Sequence, residues 1–423
     1  MKSLRRIVLV LVLLAVGVGL YLGVTGSVAF QNMETALKLQ ESLTKLKAEK
    51  QAKQAELEKQ FPALREELAD KFYFSSLNNV KEEEAYMTLY LNSRAAVTTT
   101  DYYEMPSLSD ISIYRVHHSL SNDFPEFYWF GAGAYAMENQ TPNLTDQQIE
   151  AYFTMLEMGK NIVSQLPQTN EFDKVKAIYD YVILHTEYNH AALTDDTLSF
   201  QNQAIDSVLL KGLSVCGGYS RTFQFLCQLA GIESIYVTGF LELGPEFELA
   251  NTYHAWNLVK IDGNYYGVDT TWGDPAYMST DQTENLPAIN YDYLCIPATI
   301  LERSHRPVSR LLEAYQMEIS SKNDPNLTYP TYDDNSLNQH SLDGTYMEGQ
   351  DMSKVVERLR QSLAAGQDSI SLQFADKSLF DQVLQDVAQS DSQISALYFD
   401  EFGSSSIGYS NDPYVYSIQL TKQ

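Results

Sequence analysis

Cysteine is scarce in this 423-residue chain. The three present, Cys216, Cys227 and Cys295, exclude a disulfide-dense scaffold and leave at least one thiol unpaired within the chain. Neither Cys-x-x-Cys nor His-Glu-x-x-His occurs, so the common zinc signatures are missing. Basic residues are also few: 29 Lys and Arg stand against 55 Asp and Glu, a net charge of −26. Such a chain repels a phosphate backbone instead of displacing its counterions, which excludes nucleic acid from the expected partners. What is plentiful is apolar and aromatic material, 44% hydrophobic with 29 Tyr and 18 Phe, enough to build a core and incompatible with a wholly disordered chain. The length points to two or three folded units.

Charge is unevenly placed. Residues 1–60 carry nine Lys and Arg against five Glu, a net positive start to a chain whose remainder is strongly acidic. Lys2, Arg5 and Arg6 precede eighteen uncharged residues, 7–24, close to the length a helix needs to cross a bilayer. Residues 1–30 are therefore read as a signal-anchor with the basic end inside. A cleaved secretory signal, for which Ser27 and Ala29 fit the cleavage pattern, is the competing reading; the length of the run favours the anchor. Either reading places the body outside the cytoplasm, and the anchor makes it a single-pass membrane protein with an extracellular body.

Residues 31–75 are rich in Leu, Lys, Glu, Gln and Ala, with Leu39, Leu43 and Leu46 at helical spacing, and read as a solvated stalk helix. Residues 76–164 form an extension of the core: a helix near 82–93, strand-like pieces at 111–114 and 127–130, and a helix capped by Thr145 and Asp146. His117 and His118 are neighbours; in a strand they would point to opposite faces and could not chelate one metal together, and they are taken as structural. A further helix over 172–186 has Val175, Ile178, Tyr179, Val182 and Ile183 as its apolar stripe.

Chemistry enters at Gly212. The run Gly212-Leu213-Ser214-Val215-Cys216-Gly217-Gly218-Tyr219 reads as a turn opening into a helix that Gly231 ends. Cys216 then stands at the helix N-terminus, where free backbone N–H groups and the macrodipole favour a thiolate, and the two glycines leave room for a substrate backbone. Cys227, about 16 Å farther along the axis, is too distant to bridge it and, like Cys295, reads as a buried small hydrophobe.

A hairpin follows, with Asp262-Gly263 as its turn. That turn makes paired residues sum to 525, which puts His254 and Asp269 on one face as diagonal neighbours, within about 7–8 Å between backbones. A cysteine at a helix start with His and Asp on adjacent strands is the set that nucleophilic acyl chemistry requires. In this set His254 draws the thiol proton, Asp269 holds the imidazole tautomer, and the Cys216 backbone N–H is one oxyanion donor.

Three blocks in this order carry a family resemblance. Cys216 to Ser220, His254-Ala255-Trp256-Asn257, and Tyr266 to Trp272 followed by Asp274-Pro275 resemble the transglutaminase-like domain in its bacterial extracellular form; the likeness covers about residues 165–300. It implies an α+β fold with a papain-like core over 165–307, a nucleophile helix packed on an antiparallel sheet. It also implies Cys216, His254 and Asp269 as the triad and no organic cofactor or metal. Members include cross-linkers, amidases, peptidases and catalytically silent relatives.

Beyond Pro307 the composition shifts to Ser, Asn, Asp and Gln, and residues 308–342 read as a linker. Residues 343–423 outline a small α+β domain with helices at 353–365 and 378–389 and strands at 369–374, 394–399 and 414–420. The expectation is a membrane-anchored thiol enzyme on a Gram-positive-type surface. Its substrate would be a protein or peptide, cell-wall material included. The alternatives are a non-catalytic surface scaffold and a cell-wall peptide hydrolase.

Overall fold

A computed structural model describes residues 26–77, 79–99, 102–106, 112–130, 142–244, 252–275, 289–308 and 327–423. The chain divides into two units, Met1–Glu67 and Leu68–Gln423. In the first, helix α1 (Gly26–Glu67) runs for 42 residues with Pro62 inside it. Glu34 and Lys38 pair at 2.7 Å along its surface, the (i, i+4) contact that supports a polar helix, and Leu39, Leu43 and Leu46 are exposed. This helix is long enough for a bilayer but is charged along its length. Among the described residues no helix is both long and apolar enough to cross a membrane, which corrects the expected single-pass membrane placement. The uncharged run at 7–24 lies outside the described residues.

The second unit begins with helices whose boundaries follow from their caps. Helix α2 (Val80–Ala96) is capped by Asn79, and α3 (Ile113–Asp123) by Ser112, whose side chain accepts from the Arg115 N–H. That cap makes Ile113 and Tyr114, from the strand-like stretch, the start of a helix, on which His117 and His118 also lie; Ile111 lies outside the described residues. The aromatic run at 127–130 likewise becomes a short 3₁₀ turn, Tyr128–Phe130. Thr145 and Gln148 close a capping box on α4 (Asp146–Ser164), and Asn170 caps α5 (Glu171–Leu184), whose buried face is Val175, Ile178, Tyr179, Val182 and Ile183.

Helix α6 (Cys216–Leu229) is buried on most sides, with Tyr219, Phe223, Leu226 and Cys227 all fully enclosed. It ends at Gly231, whose φ of 75° is open to glycine, where Ile232 N–H reaches back to the Cys227 carbonyl at 2.9 Å. The helix packs on an antiparallel sheet of β1 (Ser234–Leu241), β2 (Tyr253–Ile261), β3 (Asn264–Val268) and β4 (His305–Pro307), in the order β3-β2-β1-β4. The β2–β3 pairs run from Ile261↔Asn264 to Asn257↔Val268, the register that the Asp-Gly turn predicts. Both turn residues have positive φ, 48° at Asp262 and 89° at Gly263, as a type I′ turn demands.

A second four-stranded sheet is built from β5 (Tyr346–Met347), β6 (Ser369–Phe374), β7 (Ile407–Asp412) and β8 (Ser417–Lys422), in the order β5-β6-β8-β7. Helices α7 (Met352–Ala364) and α8 (Lys377–Val387) accompany it around a core that includes Leu359, Phe374, Phe380 and Ile418. Residues 394–399, expected as a strand, are helical instead: Gln393–Ala396 continues into a π turn, Leu397–Glu401, behind a Ser392 cap. A short apolar run does not declare its period, and here the cap decides. Val415 packs in the core of the first sheet with Trp256, Trp272 and Tyr293. Of the expected linker, residues 309–326 lie outside the described residues.

Close approach of β4 to β1 depends on one glycine. A Cβ on Gly239 would stand 2.1 Å from the Arg306 carbonyl and 2.6 Å from the Trp256 ring. Gly239→Ala should therefore push β4 off the sheet and lower stability by about 1–3 kcal/mol, read as a fall in the urea midpoint. An unchanged midpoint would show that β4 is not held where the structure puts it.

Candidate active site

Cys216 opens α6 behind Val215, whose extended backbone offers no side-chain cap, so the first turn keeps its N–H groups unclaimed by a capping side chain. The thiol is free and partly exposed. The glycines that follow serve packing, not substrate access: a Cβ on Gly217 would meet the Gln203 side chain at 1.9 Å, and one on Gly218 would meet Ser214 Oγ at 2.0 Å. One turn on, Ser220 Oγ donates to the Ala255 carbonyl at 2.9 Å, while Tyr219 Oη donates to Asp274 at 2.7 Å. The first of these bonds fixes the register of the helix against the residue next to His254.

His254 sits on β2 opposite Gly239 and is 2% exposed. Its Nε2 donates to Asp269 Oδ2 at 2.7 Å. Asp269 lies one residue past the end of β3, fully buried, with its own N–H bonded to the Tyr293 carbonyl. The other carboxylate oxygen accepts from the N–H groups of Thr271 at 2.8 Å and Trp272 at 3.1 Å. With Nε2 committed to Asp269, Nδ1 is the nitrogen left for the thiol.

The electrostatics follow from this geometry. Burial pushes the His254 imidazole down, but the Asp269 charge, the hydrogen bond to it and then Cys216 carry it up to about 10. Burial pushes Asp269 up; the two histidines, His254 foremost, hold it well below the ordinary carboxylate range. The pair is thus ionic at neutral pH. Cys227 and Cys295 differ from Cys216 in setting, because both are fully buried and burial raises their thiols far above the usual range.

One residue was not singled out by the sequence. His305, on β4, places its Nε2 2.9 Å from the same Asp269 Oδ2. It lies 36 residues beyond Asp269 in a three-residue strand that ends in proline, so neither spacing nor periodicity marks it. His254, Asp269 and His305 each bring one atom within 4.8 Å of the others, the spacing of three ligands to one ion. Their hydrogen bonds to the shared carboxylate account for that spacing with protons alone.

Residues 160–270 match the model of the transglutaminase-like superfamily. This segment contains all three of Cys216, His254 and Asp269. Among curated proteins, the kyphoscoliosis peptidase of Mus musculus is 28% identical over 149 residues and that of Homo sapiens 31% identical over 149 residues; each alignment covers 33% of this chain and 22% of the relative. The chain thus spans about a fifth of the length of these relatives. A crystal structure described as that of a TGase overlaps 36% of this chain and 37% of its own, at 20% identity and a TM-score of 0.27.

The ion pair predicts a pH signature. A raised His254 contributes stability that is complete below its ordinary value of 6.5 and is lost as pH rises toward 10; a depressed Asp269 contributes stability that is complete above 3.8 and is lost as pH falls further. Unfolding free energy should therefore decline from 6.5 toward 10, and Asp269→Asn should shrink that decline. Imidazole NMR of the variant should show His254 titrating well below 10, because burial is then opposed by Cys216 without the Asp269 charge. A titration still near 10 would break the assignment.

Proposed function

We propose that this chain is a thiol enzyme of the transglutaminase type, acting on protein or peptide amides through Cys216, His254 and Asp269. The observation that carries the reading is the 2.7 Å His254–Asp269 bond, buried beside a helix that begins with a free cysteine. The proton that makes His254 an imidazolium comes from Cys216 through Nδ1, leaving a thiolate that attacks the amide carbonyl and forms a C–S bond. The oxyanion is met by the Cys216 backbone N–H at the start of α6. His254, now an imidazolium, returns its proton to the departing nitrogen as the C–N bond breaks and a thioester remains. An incoming amine or water gives up a proton to His254, attacks the thioester and regenerates the thiol. Asp269 keeps Nε2 protonated and compensates the positive charge throughout. The superfamily match over 160–270 and the peptidase names of the relatives support peptide-like substrates.

A thiol alkylator near neutral pH tests this directly. Cys216 should react roughly tenfold or more faster than an unperturbed thiol, and Cys216→Ala should remove the reaction while Cys227 and Cys295 stay unlabelled. Labelling no faster than free cysteine would mark a non-catalytic scaffold. Incubation with a fluorescent primary amine and a glutamine-bearing protein then resolves the acceptor, since only a transferase incorporates the amine.

A further inference from the structure

Two imidazoles meet Asp269, and the chemistry above uses one. His305 is fully buried on β4, where it pairs with Leu241 of β1. The ring is walled by Trp272 and Trp256, both edge-on, with centroids at 4.9 Å and 5.0 Å. A carboxylate oxygen only accepts, so the 2.9 Å contact to Asp269 Oδ2 requires a hydrogen on His305 Nε2. In a neutral ring Nδ1 is then an acceptor, and the buried Ser304 hydroxyl, 2.9 Å away, donates to it.

We propose, resting on the thiol-enzyme reading, that His305 is a positioning residue: a neutral Nε2–H donor, its tautomer set by Ser304, that fixes the Asp269 oxygen on which His254 turns. His305 acts through Asp269 and does not touch the sulfur. Were its proton on Nδ1, a lone pair would face the carboxylate and drive it off His254. The groups facing this cluster are His254 on β2, Cys216 on α6, Tyr179 on α5 with its hydroxyl 3.5 Å from the Asp269 carbonyl, Tyr293, and the Leu301 carbonyl. Burial lowers His305 by more than Asp269 and the Leu301 carbonyl together raise it, and the His254 charge pushes the same way as burial, in keeping with a neutral ring.

The full chain is compared with His305→Leu, His305→Gln and Ser304→Ala in amide turnover and Cys216 alkylation across the pH range. His305→Leu removes the donor with little change of volume; kcat should fall roughly tenfold or more with KM little changed, and the alkaline limit set by His254 should move down. His305→Gln, whose amide N–H reaches the same oxygen, should recover most of the rate, and Ser304→Ala should show a smaller loss with the same displaced limit. Nitrogen NMR of the wild-type imidazoles should find His305 as the Nε2–H tautomer. An Nδ1–H tautomer overturns the role whatever the activity, as does a wild-type pH profile in both His305→Leu and Ser304→Ala. Equal losses in His305→Leu and His305→Gln that track a fall in Tm also overturn it, since packing then suffices. If His305→Leu does not fold, Ser304→Ala with a wild-type profile is decisive against it. Failure of the thiol-enzyme reading looks different: wild-type Cys216 alkylates like free cysteine, and the role falls with the enzyme.

Discussion

The structure turns on one buried carboxylate. A charge with no exposure to water costs several kcal/mol unless its lone pairs are filled, and Asp269 is filled from four sides: two backbone N–H groups on Oδ1 and two imidazoles on Oδ2. None of these donors is local to a single element. The backbone pair comes from the tight loop after β3, His254 from β2, and His305 from the far edge of the sheet. Removing the ionic partner, His254, leaves a buried charge uncompensated, a loss of about 3–5 kcal/mol. Folding the sheet and assembling the site are therefore one event, and the sheet order β3-β2-β1-β4 is what brings the two histidines to the same oxygen.

The sulfur is aligned by a second set of polar bonds. Ser220 ties α6 to the Ala255 carbonyl, Tyr219 ties it to Asp274 and the Thr186 carbonyl, and Gln224 ties it to the carbonyls of Asn122 and Ser234. These bonds fix rotation and translation of the helix, which apolar packing alone constrains weakly because it is non-directional. The same pattern continues behind Asp269. Tyr293, whose carbonyl holds the Asp269 N–H, sends its hydroxyl to Asp412 at 2.6 Å, and neighbouring Asp292 accepts from His340 at 2.8 Å and Ser417 at 2.5 Å. The C-terminal sheet is thus bonded to the segment on which the carboxylate rests.

The hairpin and the helix that opens at Cys216 were legible because each is set by a few residues with strong local preferences. Asp262-Gly263 admits one turn type and hence one register; Gly231 stops a helix that Cys216 begins. The α5 stripe was readable for the same reason, a clean 3.6-residue period. What escaped was non-local or short. His305 is joined to Asp269 by topology, not by any spacing in the chain, and a strand of three residues has no period to detect. Residues 394–399 and 111–114 were too short to separate helix from strand, and in both cases a serine cap settled the matter. The glycines after Cys216 read as room for a substrate backbone, but the space they leave is filled by Gln203, Ser207 and Ser214.

Two imidazoles on one carboxylate raise the question of how many protons they share. With both rings protonated the dry cluster would carry a surplus positive charge, and with neither protonated an unpaired negative one, so a single added proton is the state that burial favours. The choice between the rings is then a matter of surroundings. His305 is enclosed by Trp256, Trp272 and the sheet edge, and its neighbours besides Asp269, the Ser304 hydroxyl and the Leu301 carbonyl, carry no counter-charge. His254 faces Cys216, which can hand over its proton and become the counter-charge. In the proposed mechanism, placing the cation on His254 lets thiolate, imidazolium and carboxylate alternate in sign, with a neutral His305 on the same carboxylate oxygen, and this ordering is what would make the Cys216 sulfur a nucleophile.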